Sequence, residues 1–430
     1  MGTKIEIHNG NQIGGCITVI STQQAKIVID FGEQLPGAEA TSDYEFDWDK
    51  EKVDAVLFTH YHGDHIGRFK EIPKEIPLYM GEVTKKIMAT ISKHIHDDEA
   101  LNILESDRIK KLAAKKTFFI GDMKITPYTV DHSAYDAYMI LVETPDKTIL
   151  HTGDFRGHGH RGKALLPMIN SYIRRNGRRK VDILITEGTM MNRTSEEVYS
   201  EKDMLKDAKK LFKEHKHVFL ICSSTNLDSL ATFYQAAKEN HIKMYSTDYV
   251  KEQLNNFSNT AGEMTKLYDF QYAYAVRFNQ EIPLPQKTVT QQELMRDEGF
   301  LTIIKAEEKY KKWIDKFADL DPIVIYSMWK GYLDPKHNAY NPEWKHFWDS
   351  CKNKKIMHTS GHATADVLAA VIDAVDPQEA IIPIHTENAR GFKDLNIREE
   401  LKRRIKIEKA PLSPLLADFT CEKGDQGTRS

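Results

Sequence analysis

The 430-residue chain has little of several features that mark specialised classes of protein. No apolar run approaches the ~18 residues of a membrane span, and the N-terminal stretch lacks the apolar core of a signal peptide, so we expect a cytoplasmic protein with no membrane partner. The four cysteines lie far apart without a CxxC pair, which argues against a disulfide framework. With a net charge of −3 the protein is not basic as a whole, so a nucleic acid would have to bind a local patch of positive charge.

The length and patterning predict more than one structural unit. A chain of 430 residues exceeds one ordinary hydrophobic core, so we expect two domains or a domain that carries an insertion. Short strands alternate with helices over residues 4–188, which predicts a layered α/β fold. A second α/β pattern begins near Met190, and residues 255–320 are predicted to be helical. The first pattern returns from about residue 354 with a strand, a glycine loop and a helix.

The most informative segment is Thr-His-Tyr-His-Gly-Asp-His at residues 59–65, directly after an apolar strand predicted over Val53–Phe58. Three imidazoles and one carboxylate suit a divalent ion, above all zinc. The first two histidines alternate in extended backbone and point the same way, whereas Gly63 lets the chain turn and direct the other pair elsewhere. The spacing therefore predicts two metal ions about 3.5–4 Å apart that activate water for hydrolysis.

Further polar residues stand where other predicted strands end. Each alone is more often a cap or a turn residue, but together with the histidine-rich segment they form a constellation that suits a metal site. These residues are Asp30, His132, Asp154, Glu187 and His385.

This set of residues resembles the metallo-β-lactamase fold, in which an HxHxDH segment is followed by a distal histidine, a bridging aspartate and a late histidine. The resemblance implies an α/β protein, an αββα sandwich with two zinc ions, although the same ligands accept Mn²⁺. For the first ion it implies the ligands His60, His62 and His132. For the second it implies Asp64, His65 and His385, with Asp154 bridging both ions. Asp30 would orient the cluster through hydrogen bonds, as ligand histidines generally require.

An additional segment narrows the resemblance to the β-CASP nucleases, which interrupt this fold with an inserted α/β domain. Within that group the sequence is most similar to the ribonuclease J type, and it is too short for the further C-terminal domain of that type. The resemblance implies a first part of the metallo-β-lactamase domain at 1–190, a β-CASP insertion at 191–350, a second part of the first domain at 351–412, and a tail at 413–430.

Three β-CASP features are matched outside the metal motifs: Glu187 after a strand, the His-Thr-Ser-Gly-His-Ala loop at 358–363, and the segment 385–387. The resemblance implies that the loop contacts a substrate phosphate, because backbone N–H groups at a helix N-terminus form an anion site. Glu387 would help to orient the metal ligands. The residues implied to contact phosphate are His358, Ser360, Gly361 and His362.

The chemistry implied by the resemblance is hydrolysis of a phosphodiester by a hydroxide that two zinc ions activate. The residues implied to act in catalysis are Asp64, Glu187 and His362. His362 would stabilise or protonate the leaving oxygen, and Glu187 would orient His362. A histidine at position 385 is typical of the RNA-processing branch, so the expected function is a metal-dependent ribonuclease with RNA as its partner.

Three alternative functions stay open. A small-molecule hydrolase of the same fold, acting on an ester, lactone or thioester, needs the metal site but neither Glu187 nor His362. A DNA nuclease differs only in substrate, and a non-catalytic nucleic-acid-binding protein would not need the metal ligands. The sequence does not decide between exo- and endonuclease, or whether the chain forms a homo-oligomer.

Two groups of residues have both a substrate-binding and a structural interpretation. Trp329, Tyr332, Trp344, Phe347 and Trp348 form an aromatic, lysine-containing segment that either stacks nucleobases or packs in the core. His158 and His160, shortly after Asp154, either contact substrate or lie in a solvated loop.

Overall fold

The computed structural model describes residues 2–35, 45–194, 197–276 and 290–407, and the backbone of 417–418. In these residues three β-sheets are covered by helices, and no helix is long and apolar enough to cross a membrane. The α-helices are α1 (Trp48–Glu51), α2 (Gly63–Ile66), α3 (Glu82–Ile95), α4 (Asp98–Glu105), α5 (Leu165–Met168), α6 (Glu201–Glu214), α7 (Leu227–Glu239), α8 (Asp248–Ser258), α9 (Ala261–Met264), α10 (Gln291–Glu298), α11 (Glu308–Lys316), α12 (Pro342–Ser350), α13 (Ala365–Val375) and α14 (Glu399–Arg403).

Two sheets form the central layers of the first domain. The first sheet has the spatial order β19 (Ala417–Asp418), β1 (Lys4–His8), β2 (Ile17–Ser21), β3 (Lys26–Ile29), β4 (Ala55–Leu57), β5 (Leu78–Gly81) and β6 (Ile109–Leu112). The second has the order β18 (Ala380–Ile384), β11 (Ile183–Glu187), β10 (Thr148–His151), β9 (Tyr138–Glu143), β8 (Met123–Thr129) and β7 (Phe118–Ile120).

These two sheets pack face to face, and helices cover their outer faces. Alternate strand residues, such as Ile27 and Ile140, share one buried cluster between the sheets. A second cluster packs α13 against the outer face of the second sheet, and a third packs α4 against the first sheet. The αββα sandwich expected from the sequence is therefore confirmed.

A third sheet forms the core of the inserted unit. All its neighbouring strands are parallel, in the order β14 (Ala273–Ala275), β13 (Lys243–Ser246), β15 (Phe300–Ile304), β12 (His217–Ile221), β16 (Ile323–Tyr326) and β17 (Lys354–Ile356). Apolar clusters on both faces bury it, which explains why its central strands are continuous apolar runs.

The structure corrects two details of the sequence prediction. Residues 255–320 were expected to be helical, but β15 lies in this range and is an inner strand of the third sheet. Its run Phe-Leu-Thr-Ile-Ile is buried throughout, while charged helices on either side dominate the local composition. The strand near residue 355 was assigned to the first domain, but β17 pairs with β16, so the third sheet extends past residue 350 to Ile356.

The topology brings the ends of distant strands to one edge. Strands β3 and β4 run parallel in the first sheet, and β10, β11 and β18 run parallel in the second. The carboxyl ends of parallel strands lie at the same edge of a sheet, where sites usually form. The residues just beyond these ends include Asp30, Asp154 and His385, and Glu187 ends β11.

A buried charge network joins the first domain to the insertion. The Arg156 side chain is fully buried and donates to Asp228 Oδ2 at 2.7 Å and to Glu201 Oε1 at 3.2 Å, both in the insertion. It also donates to the carbonyl oxygen of Ser360 at 2.9 Å, and Asp131 lies 3.7 Å away. One guanidinium thus holds carboxylates from both units and fixes the loop that carries His362.

Replacing this guanidinium is expected to destabilise the fold. Arg156→Met leaves the buried carboxylates without their cation, so we expect the free energy of unfolding to fall by about 3–5 kcal/mol in urea denaturation. Arg398→Met is a matched control, because Arg398 is 48% exposed and also pairs with carboxylates. The free energy of unfolding of Arg398→Met should fall by less than about 1 kcal/mol. Equal small losses in the two variants would contradict a stabilising role for the buried network.

Candidate metal centre

The segment after β4 presents its donors in two directions. His62 has extended backbone angles, and Gly63 then begins the short helix α2, which carries Asp64 and His65. Close packing holds this turn, because a Cβ atom at Gly32 would lie 2.0 Å from the carbonyl group of Asp64. The change from extended to helical backbone separates the two pairs of donors, as the sequence pattern predicts.

The first group of donors consists of His60, His62 and His132. Nδ1 of His62 lies 3.0 Å from Nε2 of His60 and 3.2 Å from Nε2 of His132. Burial and the neighbouring imidazoles hold the pKa of His60 and His132 well below the ordinary value, and burial lowers that of His62 to about 4. Three neutral nitrogens that converge at such distances fit one shared divalent ion.

Hydrogen bonds from the outer nitrogens orient two of these rings. Nδ1 of His132 donates to the carbonyl oxygen of Gly361 at 2.6 Å. Nδ1 of His60 donates to the hydroxyl of Thr59 at 3.0 Å, and that hydroxyl donates to Asp30 at 2.7 Å. Such contacts fix the tautomer and leave Nε2 available as a metal ligand.

The second group consists of Asp64, His65, Asp154 and His385. Nε2 of His65 lies 3.1 Å from Oδ2 of Asp154, and Nε2 of His385 lies 3.1 Å from Oδ2 of Asp64. Although burial opposes ionisation of Asp154, His385 and His65 hold its pKa well below the ordinary value. Oδ1 of Asp154 is buried and has no hydrogen-bond partner among the described residues, which fits a role as a cation ligand.

Asp154 also lies next to the first group. Its Oδ2 atom is 4.0 Å from Nε2 of His60, so one carboxylate contacts donors of both groups. This position matches the bridging role that the sequence resemblance implies. The donor set therefore suits a pair of divalent ions.

Two supporting residues hold the second group. Asp30 accepts from the backbone N–H of Thr59 at 2.7 Å and from Nδ1 of His65 at 2.8 Å. Its φ angle of 63° and that of His385, 49°, are left-handed, which is strained for residues other than glycine. The strain lies where two strands end at the candidate site, a common place for it.

The partner of His385 is a residue that the sequence did not indicate. Nδ1 of His385 donates to the hydroxyl of Thr189 at 2.8 Å. The sequence suggested Glu387 as a supporting residue, but the structure places it exposed at the rim, where it accepts from Asn192 at 3.1 Å. A threonine two residues after Glu187 has no recognisable pattern, so only the folded chain reveals its contact.

Glu187 and His362 adjoin the metal donors. Nδ1 of His362 lies 3.4 Å from Glu187 and 3.5 Å from Asp154. Burial opposes a charge on His362, but these two carboxylates raise its pKa above the ordinary value. Glu187 is fully buried and also accepts from the backbone N–H groups of Thr189 and Ala363. His362 is thus held as a potential proton donor.

The loop at 358–362 lines a cleft between the first domain and the insertion. The cleft has a volume of about 950 Å³, and its wall includes His358, Ser360, Gly361 and His362. The Ser360 hydroxyl accepts from the backbone N–H of His362 at 3.1 Å. From the neighbouring loops and the insertion, the cleft is lined by Arg193, Tyr199, Trp329, Lys330, Tyr332, Lys336 and His337, among others.

The remaining sequence candidates take structural positions. His158 donates to the carbonyl oxygen of Ser360 at 2.8 Å, and burial lowers its pKa to about 4. His160 contacts the hydroxyl of Thr232 on α7 at 2.9 Å. His158 therefore holds the loop that carries His362, and His160 joins the first domain to the insertion. Phe347 and Trp348 are buried in the insertion core.

Sequence comparisons match two known domain families. Residues 14–187 match the model of the metallo-β-lactamase superfamily, and residues 350–407 match that of a Zn-dependent metallo-hydrolase RNA specificity domain. The first match contains most of the donors described above, and the second contains His362 and His385. Metallo-β-lactamase relatives bind divalent metal, which agrees with the donor clusters.

Several similar proteins are called ribonuclease J. That of Mycoplasma genitalium is 26% identical over 78% of this chain and 58% of its own length, and that of Mycoplasma pneumoniae is 25% identical over 81% and 60%. The chain thus spans less than two thirds of these relatives. A crystal structure of a protein of unknown function from Enterococcus faecalis has a TM-score of 0.69 and 18% identity, with 97% of this chain and 100% of that chain covered. This similarity shows only that the two chains share a fold.

Removing the carboxylate that orients His65 is expected to weaken metal binding. Asp30→Asn substitutes an amide for one acceptor oxygen, so we expect metal affinity to fall about 10- to 100-fold in competition with a chromogenic chelator. Asp54→Asn is the control, because Asp54 accepts a backbone N–H in the same sheet but lies outside the donor groups. Unchanged affinity in Asp30→Asn would refute the orienting role.

Proposed function

This chain belongs to the metallo-β-lactamase superfamily and resembles its β-CASP, ribonuclease J-like branch, and from this membership we propose that it is a metal-dependent ribonuclease. The observation that carries the proposal is the pair of donor groups beside a cleft with cationic and aromatic walls. The match to an RNA specificity domain supports RNA over DNA. We also propose a cytoplasmic location, which fits the buried free thiols of Cys16, Cys222 and Cys351.

We infer that the resident ions are two zinc ions, because the first donor group consists of imidazoles alone. The first ion would be held by His60, His62 and His132, and the second by Asp64, His65 and His385, with Asp154 between them. Bound divalent ions supply an activated water nucleophile and neutralise the charge that develops on phosphate. Manganese remains an alternative that metal analysis of the purified protein can test.

Three side chains have separate roles in the proposed hydrolysis. Asp64 stays ionised, because His65 and His385 outweigh the effect of burial and lower its pKa. As the oxygen of a hydroxide bonds to phosphorus and the bond from phosphorus to the leaving oxygen breaks, protonated His362 donates its proton to that oxygen and becomes neutral. The next water molecule returns a proton to His362 and supplies the next hydroxide. Oε2 of Glu187 lies 3.4 Å from Nδ1 of His362, and its negative charge helps to raise the pKa of the ring, so Glu187 favours the protonated form of His362.

The walls of the cleft suit a polyanion. Arg193, Lys330 and Lys336 line it together with Glu197 and Glu387, so the cations outnumber the carboxylates where the phosphates that flank the cleaved bond would lie. A small-molecule esterase would not need such a wall. Local cations therefore supply the attraction for phosphate that a protein with a net charge of −3 does not provide as a whole.

The direct test compares three substrates under identical conditions. Metal-loaded protein is incubated with 5′-monophosphorylated single-stranded RNA, with DNA of the same sequence, and with a chromogenic carboxylic ester. We expect RNA cleavage that a chelator abolishes and that added Zn²⁺ or Mn²⁺ restores. Faster turnover of DNA would identify a DNA nuclease, and ester turnover without RNA cleavage would overturn the proposal.

Two substitutions separate metal binding from proton transfer. Asp154→Ala removes the carboxylate between the donor groups, so we expect cleavage to be abolished with little change in circular dichroism. Glu187→Gln should keep most of the bound metal but lower kcat about 10²- to 10⁴-fold, because His362 loses a charged partner. Asp182→Asn, at the other end of β11, is the control and should retain activity. Unchanged RNA cleavage in Asp154→Ala would end the assignment.

A further inference from the structure

A cluster of aromatic side chains lines the cleft beside the catalytic loop. This aromatic cluster consists of Trp329, Tyr332 and His337, which follow β16 of the insertion and line the same cavity as His362. The ring centroids of Trp329 and Tyr332 are 5.5 Å apart, and those of Trp329 and His337 are 5.0 Å apart. Three rings thus meet in a place that a substrate can reach.

The indole of Trp329 is held in place by the turn that carries it. A Cβ atom at Gly331 would lie 2.2 Å from the Trp329 ring, so glycine is needed for the indole to lie against the turn. The carbonyl oxygen of Trp329 accepts from the Tyr326 hydroxyl at 3.3 Å, and Tyr332 packs edge-on against Trp344 at 5.3 Å. A ring that is already immobilised loses little conformational entropy when a ligand stacks on it.

A cation already lies over this indole. The guanidinium carbon of Arg193 is 5.0 Å from the centroid of the Trp329 ring. Arg193 directly follows the turn Thr189–Asn192, whose first residue contacts His385 at the metal centre. A short segment therefore connects the metal centre to the face of Trp329.

The cavity is large enough for more than the reacting phosphate. Its volume of about 950 Å³ is near the upper end of the roughly 300–1,000 Å³ that ligand pockets typically enclose. Lys330 and Lys336 are exposed on the same wall. Aromatic faces that alternate with cations are the usual means of binding single-stranded nucleic acid, because bases stack while phosphates meet charge.

We propose that Trp329 is the stacking platform for one nucleobase of a single-stranded RNA whose scissile phosphate lies at the metal centre. The base replaces the Arg193 guanidinium as the stacking partner of the indole, and the guanidinium moves to an adjoining phosphate. This inference rests on the proposed ribonuclease function and adds a determinant of substrate binding. It assigns a function to a part of the insertion that lies outside the metal motifs.

The test combines a protein variant with a substrate variant. Wild-type protein and Trp329→Ala are given 5′-monophosphorylated single-stranded RNAs that each carry one abasic position. For wild type we expect kcat/KM to fall about 5- to 100-fold when the abasic position is the one that stacks. On intact RNA, Trp329→Ala should show the same fall in kcat/KM, mainly through a higher KM. Removing the stacking base from the RNA should then cause no further fall in this variant. Trp329→Phe should keep most of the kcat/KM that Trp329→Ala loses on intact RNA.

The controls separate this inference from the function on which it rests. Phe119→Ala removes an aromatic side chain that is 68% exposed and lies outside the cavity, and it should behave as wild type. If Trp329→Ala keeps the full sensitivity of wild type to every abasic position, the platform is refuted while the ribonuclease stands. If metal-loaded wild type cleaves no RNA, the proposed function itself fails.

Discussion

The structure depends on one electrostatic constraint. Buried imidazole nitrogens and carboxylate oxygens converge at one place, and contacts within the protein do not satisfy all of their hydrogen-bonding capacity. Burial keeps the imidazoles of His60 and His132 neutral, while neighbouring histidines keep Asp154 ionised. Oδ1 of Asp154 has no hydrogen-bond partner in the part of the chain that the structure describes, and such a buried oxygen is costly unless a cation lies beside it. The surrounding strands, turns and hydrogen bonds hold these groups together despite that cost, which is a property of sites built for metal ions.

Buried polar contacts join the insertion to this centre. Arg156 contacts carboxylates of the insertion and the carbonyl oxygen of Ser360, and Tyr61, between two donor histidines, donates to the carbonyl oxygen of Thr225 at 2.7 Å. The same arrangement creates the cleft, because the loop at 358–362 and the turn near Trp329 belong to its opposing units. The candidate metal donors and the cleft therefore share one framework of buried polar contacts.

Much of the fold and of the candidate site could be predicted from local patterns. For strands with strong apolar runs, the sequence predicts the bounds Tyr138–Glu143 and Thr148–His151, and β9 and β10 have these bounds. The inner strand β15 was missed because charged helices flank a run of only five residues, four of them apolar, and local composition then favours helix. Glu387 was placed with the ligand partners, whereas Thr189 holds His385, since hydrogen-bond partners across the fold leave no periodic signal.

The sequence by itself determined the chemistry, because residue types and their spacing in residues 59–65 specify which donors can bind metal and how the backbone must turn between them. It also determined the layered α/β class through the order of its strands and helices, while the αββα sandwich followed from the resemblance that the metal motifs carry. Tertiary structure alone decided which distant groups meet: Asp154 beside both donor groups, Arg156 at the interface, and Arg193 over Trp329. These contacts arise from strand order and domain packing, which join residues that no local spacing relates.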